Sequence, residues 1–326
     1  MRFWVGVWFF ALAMLAGGLA QECLSGSEIP AATATAVTTT AQRFYDLSAR
    51  GDVAALKSEA MPEVEANFGG IEQAVIGYKS LFAEAPPSDT RIFVLDATNS
   101  KTNWQRADFY CGIYNSPDRV GISIPNLPPG RYALTIAKSR AQDPVTLTMI
   151  LQDAGDNSWK LAGYYARANS LAGHDGTWFE DKAREYLARN ERLNAWLYYL
   201  TAWDLLAPVD FISTPQLDKL NDALQATRPT DVPTTAVPLV LSSGGKSFKV
   251  DDFSVVAVGT EFYIQVKYDA GTRNDPALLS QDNLALMKAV LAKYPELRSG
   301  FGGVFARATY GGGREFATIT AMKEIQ

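Results

Sequence analysis

Pro86-Pro87-Ser88-Asp89-Thr90-Arg91-Ile92-Phe93-Val94-Leu95 divides two kinds of sequence, and its reading decides the fold. Two consecutive prolines cannot continue a helix, and the apolar spacing changes after Arg91 from a period near 3.6 to a period of 2. Upstream, residues 31–50 place Ala36, Thr40, Phe44 and Leu47 near helical spacing, with Arg50-Gly51-Asp52 as a stop and restart. Asp52 is placed to cap a short second helix, Val53 to Ala60, ended before Pro62. A third helix, Ile71 to Glu84, sets Ile71, Val75, Tyr78 and Phe82 on one face.

Downstream, strands are expected at Ile92–Leu95, Ala107–Tyr114, Val120–Ile124, Tyr132–Ala137, Val145–Leu151 and Trp159–Tyr165. The turn residues Asn115-Ser116-Pro117-Asp118, Pro128-Pro129-Gly130 and Gly155-Asp156-Asn157 separate them. Helices followed by strands predict an α+β arrangement in which one bent antiparallel sheet wraps the helices.

After Gly173 the helical period returns. Trp178–Asn190 and Leu193–Leu206 read as an antiparallel pair, with a third helix at Thr214–Leu224. Pro229, Pro233 and Pro238 among threonines mark residues 227–238 as a linker. Ser247–Val258 and Glu261–Tyr268 read as paired strands, Asp275-Pro276 opens a helix to Lys293, and Phe301–Tyr310 and Glu315–Met322 form a hairpin. This last part is expected to be a small ββαββ domain.

Phe44-Tyr45-Asp46-Leu47 followed by Arg50-Gly51-Asp52, and the closing strand Trp159-Lys160-Leu161-Ala162-Gly163-Tyr164-Tyr165, resemble the NTF2-like (cystatin-like) α+β fold. The resemblance implies a cone between helices and sheet, which in some members holds a small ligand or an isomerase or dehydratase site using Tyr and Asp. Phe179, Ala183, Tyr186, Ala195, Tyr199 and Ala202 are similar to one tetratricopeptide helix pair. A single copy reads as a connector, because such repeats bury their faces on neighbours. The expected organisation is therefore residues 1–20 a signal peptide, 21–172 the NTF2-like domain, 173–226 the helical connector, 227–238 the linker and 239–326 the C-terminal domain.

The signal is read from Arg2, the uncharged apolar run Phe3–Ala20, and the small-residue exit Gly18-Leu19-Ala20, with cleavage after Ala20. Its removal leaves no stable membrane span, and the expected location is periplasmic or extracellular. Cys23 and Cys111 are the only cysteines, so a bond in that oxidising compartment can join only those two.

Composition narrows the chemistry. A net charge of −5 with scattered Lys and Arg gives no footprint for nucleic acid. One histidine excludes HExxH zinc sites and multi-histidine metal centres, and no cofactor is expected. Ser243-Gly244-Gly245-Lys246-Ser247 lacks the spacing of a phosphate loop and reads as a hairpin turn with a solvated lysine. His174 precedes Asp175 in a loop, where Asp175 reads as a helix cap.

Asp108, Tyr110 and Tyr114 share one face of a strand, and Tyr164 or Tyr165 lies on another. Asp108, Tyr110 and Tyr164 are the catalytic candidates, since an aspartate buried beside tyrosine hydroxyls would have a raised pKa. The competing reading turns those residues to solvent and Phe109, Cys111 and Ile113 inward. Tyr114, Tyr165, Tyr199 and Trp203 are the ligand or partner candidates. Trp196, Tyr198, Tyr199 and Trp203 otherwise serve as packing between helices.

The leading expectation is an exported, non-catalytic binding or scaffold protein whose partner is a protein, a glycan or a small apolar ligand. The alternatives are ligand binding or isomerase/hydratase-type catalysis in the cone, and peptide binding by the helical pair.

Overall fold

The computed structural model describes residues 22–113, 116–234 and 236–326. The expected signal peptide, residues 1–20, and Tyr114 fall outside these residues. The fold is α+β. A short strand β1 (Glu22–Ser25) precedes helices α1 (Ala31–Arg50), α2 (Val53–Ser58), α3 (Pro62–Glu65) and α4 (Gly69–Glu84). Gly51 ends α1 in the left-handed conformation at φ 69°, and the Asp52 side chain accepts from the Ala55 N–H to start α2.

Six strands follow: β2 (Pro87–Asp96), β3 (Trp104–Cys111), β4 (Val120–Leu127), β5 (Arg131–Ser139), β6 (Val145–Asp153) and β7 (Trp159–Ala168). They do not form the single expected sheet. An antiparallel five-stranded sheet runs β1-β2-β5-β6-β7. The β3–β4 hairpin leaves it and lies over its second face.

The five-stranded sheet is therefore covered on both sides, which explains why Val145 to Leu151 is buried without interruption. Val145, Leu147, Met149 and Leu151 face the helices, where they meet Phe44, Tyr45, Leu56, Val75 and Phe82. Ile150 faces the hairpin and packs with Phe93, Leu134, Ala107, Phe109 and Ile122. A disulfide joins Cys23 to Cys111, tying the edge strand β1 to the end of β3.

Beyond β7, the two-residue strands β8 (Ser170–Leu171) and β9 (His174–Asp175) pair with each other. His174 thus lies in a strand rather than a loop, stacked on Trp178 at 3.9 Å. Helix α5 (Gly176–Ala188) is capped by Asp175, whose carboxylate accepts from the Trp178 N–H at 2.9 Å. Helix α6 (Arg192–Leu206), strand β10 (Ile212–Ser213) and helix α7 (Pro215–Thr227) complete this part. Strand β10 pairs with β4, making the three-stranded sheet β10-β4-β3.

The C-terminal sheet contains β11 (Leu239–Ser243), β12 (Lys246–Val258) and β13 (Glu261–Gly271). After helices α8 (Pro276–Lys293) and α9 (Leu297–Gly300), it closes with β14 (Gly303–Tyr310) and β15 (Arg314–Ala321). The sheet order is β11-β12-β13-β14-β15, antiparallel except for β13–β14, which α8 and α9 connect in parallel. The expected ββαββ pattern thus gains a strand, β11. Lys246 leaves the β11–β12 turn to pair with the buried carboxylate of Asp282 on α8, alongside Arg273, so it is not a free solvated lysine.

Helices α5 and α6 share a continuous apolar core with this sheet. Phe179 meets Phe262 edge-on at 5.0 Å, and the Tyr198 hydroxyl donates to the Gly300 carbonyl at 2.8 Å. The Pro/Thr segment is seated on the same part, with Val232 and Pro233 buried and Asp231 paired to Lys293 at 2.6 Å. At its other end, α6 brings Trp203 and Leu206 against the core beneath the β3–β4 hairpin.

Candidate binding groove

The catalytic candidates Asp108, Tyr110 and Tyr164 fall at two places in the N-terminal part: the space between α1–α4 and the five-stranded sheet, and the outer face of β10-β4-β3. The first is filled. Phe44, Phe82, Leu147, Met149, Trp159 and Leu161 are each buried there. A bulge at Ala162 in β7 shifts the side-chain alternation, so Trp159, Leu161 and then Tyr164 all face the helices. The Tyr164 hydroxyl donates to Ser48 Oγ at 2.9 Å, and Ser48 Oγ in turn donates to the Phe44 carbonyl at 2.8 Å. Burial drives the Tyr164 pKa well above the usual tyrosine range, against the opposing effect of the Ser48 bond.

The second place is an open groove of about 400 Å³ between the β3–β4 hairpin and the α6–β10–α7 segment. Its floor comes from alternate residues of β3. Ala107, Phe109 and Cys111 point inward, leaving Arg106, Asp108 and Tyr110 on the outer face. Opposite them on β4 lie Pro125, Ser123 and Gly121, a series that becomes smaller towards Tyr110. With no side chain at Gly121, the Tyr110 ring has nothing opposite to cover it and is 72% exposed. Ile113, expected to face inward, is instead 79% exposed beyond the end of β3, because the strand stops at Cys111 and a turn at Gly112 redirects the chain.

The charges of the groove are paired. Arg106 Nε donates to Asp108 Oδ1 at 2.7 Å, and the Ser123 hydroxyl donates to the same oxygen. Partial burial alone would raise the Asp108 carboxyl, but the bonds from Ser123 and Arg106 and the Arg106 charge hold it below the usual carboxylate range. On the α7 side, Arg119 Nη2 donates to Asp218 Oδ2 at 2.9 Å and Ser213 Oγ donates to Asp218 Oδ1 at 2.7 Å. Asp210 accepts from Arg167 of β7 at 2.6 Å. Trp203 and Phe211 supply the apolar part of the wall, and Tyr165 packs edge-on against Phe211 at 5.4 Å. Burial, then the Asp210 charge, raises the Tyr165 pKa.

The residues singled out from sequence are thus divided among three environments. Asp108, Tyr110 and Trp203 come together in the groove, with Tyr165 behind Phe211. Tyr164 lies on the far side of the five-stranded sheet, so Asp108 does not meet its hydroxyl. Tyr199 is buried among the helices and the C-terminal sheet. Arg119, Ser213, Asp218 and Asn221 complete the groove without having been anticipated. Asp218 carried one available signal, its place in the first turn of a helix behind the Thr214 cap.

Among the described residues, no group of three or more His, Cys, Asp or Glu side chains is placed to hold a metal ion. No helix among them is long and apolar enough to cross a membrane. No family model matches the chain, and no curated protein or solved structure is significantly similar to it.

Proposed function

We propose that this is an exported, non-catalytic binding protein that engages its partner through the groove on β10-β4-β3. The observation that carries the reading is the contrast between the two spaces. The space between α1–α4 and the five-stranded sheet is occupied by the protein's own side chains, while the groove is open and presents an exposed ring beside fixed polar groups. Asp108 shares the outer face of β3 with that ring, and its bonds to Arg106 and Ser123 stabilise the ionised form. That arrangement suits recognition and opposes proton exchange near neutral pH. Export is supported by the Cys23–Cys111 bond and by the apolar Phe3–Ala20 run, with cleavage placed after Ala20.

The test is a photo-crosslinking side chain placed at position 110 in the full chain, expressed with its own leader. The reading predicts a discrete adduct from position 110 and none from position 76, a solvent-facing site on α4. Absence of any adduct at 110 would contradict it. So would turnover of a small-molecule substrate that is abolished by Asp108→Asn.

A further inference from the structure

We infer that the occupant of the groove is a neutral oligosaccharide chain, an inference that rests on the groove reading above and narrows it. The argument begins with charge. Arg106, Arg119 and Arg167 balance Asp108, Asp218 and Asp210, each in a pair at 2.6 to 2.9 Å. An anionic ligand such as a phosphate or an acidic peptide gains no net attraction here. To use any of the three guanidiniums fully it must displace a carboxylate from a charge-assisted hydrogen bond. An apolar ligand would remove the same ion pairs from water without replacing their hydration.

A sugar meets neither obstacle. Each hydroxyl both donates and accepts, so one hydroxyl can accept a hydrogen bond from a guanidinium N–H and donate one to the neighbouring carboxylate while the ion pair stays intact. Asp108 leaves an oxygen for this purpose. Both of its bonds fall on Oδ1, and Oδ2 has no partner among the described residues. Asn221, whose Oδ1 faces Gln225 at 3.4 Å on α7, adds an amide to the wall.

The second requirement is a flat ring for the C–H face of a pyranose, and Tyr110 meets it. It stands 72% exposed, and its cross-strand partner Gly121 has no side chain to set beside the ring. Fixed planar polar groups beside an uncovered ring offer the two faces a pyranose presents. The open trough admits a chain rather than enclosing a single unit.

The test uses the isotopically labelled full-length mature chain titrated with cellotetraose, chitotetraose and maltotetraose, followed by amide chemical shifts. A heparin tetrasaccharide serves as the anionic arm. The inference predicts saturable shifts at Tyr110, Gly121 and Ser123 with at least one neutral tetrasaccharide. Tyr110→Ala should weaken that binding by about tenfold or more and Asn221→Ala by less, while Ile76→Ala leaves it unchanged. The amide spectrum of each variant checks that it is folded.

Failure of all three neutral sugars to saturate overturns the inference, as does saturation by heparin alone with loss in high salt. A crosslinked adduct from position 110 without any sugar response would overturn the ligand class and leave the groove standing. Loss of both responses would overturn the groove as well.

Discussion

The helix-facing and hairpin-facing sides of the N-terminal sheet begin from the same strands and end in opposite states. On the helix side, Phe44, Phe82, Met149 and Trp159 leave no room, and the Tyr164 hydroxyl is spent on Ser48. On the hairpin side, β3 and β4 absorb the sheet's second face with Ala107, Phe109 and Ile122, which frees their own outer face. The groove exists because an extra layer was added to the sheet. The difference shows that a fold which resembles a ligand-holding cone can carry its open surface elsewhere, on the strands that left the sheet.

The sharpest way to break this comparison is to remove one ring from each side. Phe82→Ala, at 1% exposure, is expected to cost about 3–5 kcal/mol, read by denaturant or thermal unfolding. Tyr110→Ala should change stability by no more than about 0.5 kcal/mol. Similar costs at the two positions would mean that the cone is loosely filled or that the groove ring is structural.

Next in size is the staple that holds the hairpin layer. The Cys23–Cys111 bond closes a separation of 88 residues, and its reduction is expected to cost about 2–4 kcal/mol. Amide exchange should rise first in β1 and around Cys111, with α1 and α4 much less affected. Uniform loosening of both sides would erase the distinction between the layers.

A smaller effect is expected at the junction that leads to the groove wall. Asp175→Ala removes the acceptor for the Trp178 N–H and should cost about 0.5–2 kcal/mol, seen as a lowered Tm. Asp175→Asn or Asp175→Ser should recover most of it.

The smallest is a pH effect at Asp204, next to Trp203. Surrounding protein raises its pKa to about 6, with Arg167 opposing and Asp210 and Asp252 adding to the rise. A carboxyl with a raised folded-state pKa favours folding while protonated. That contribution is present below the ordinary carboxylate range and is lost as pH rises through about 6. Asp204 retains contact with solvent, so the decline in Tm between pH 4 and 7 should be slight. Asp204→Asn should flatten this part of the profile.

Much of the fold was legible because it depends on local periods. The limits of α1, the Asp52, Asp175 and Asp275 caps, and the start of α8 at Pro276 follow from capping chemistry and apolar spacing. Sheet membership was not legible. The alternation Ala107, Phe109, Cys111 tells that one face of β3 is buried, and says nothing of which strand lies beside it. The second neighbour of β4, β10, is two residues long, too short to carry a period. The bulge at Ala162 likewise left the choice between Tyr164 and Tyr165 open, since a one-residue shift exchanges the faces.

The candidate site was legible in the same measure. Asp108, Tyr110 and Trp203 stood out as single residues, but Arg119, Ser213 and Asp218 reach them only through long-range pairing. That pairing also places Tyr164 on the other side of the sheet, which no spacing rule between residues 108 and 164 contains.

The most direct measurement is a crystal structure of the chain isolated from its native source, with whatever it carries. The account predicts a bound molecule against Tyr110, Asp108 and Asp218, with the Tyr164–Ser48 hydrogen bond intact. A molecule lodged between α1–α4 and the five-stranded sheet, with the Tyr164 hydroxyl turned towards it, would contradict the account.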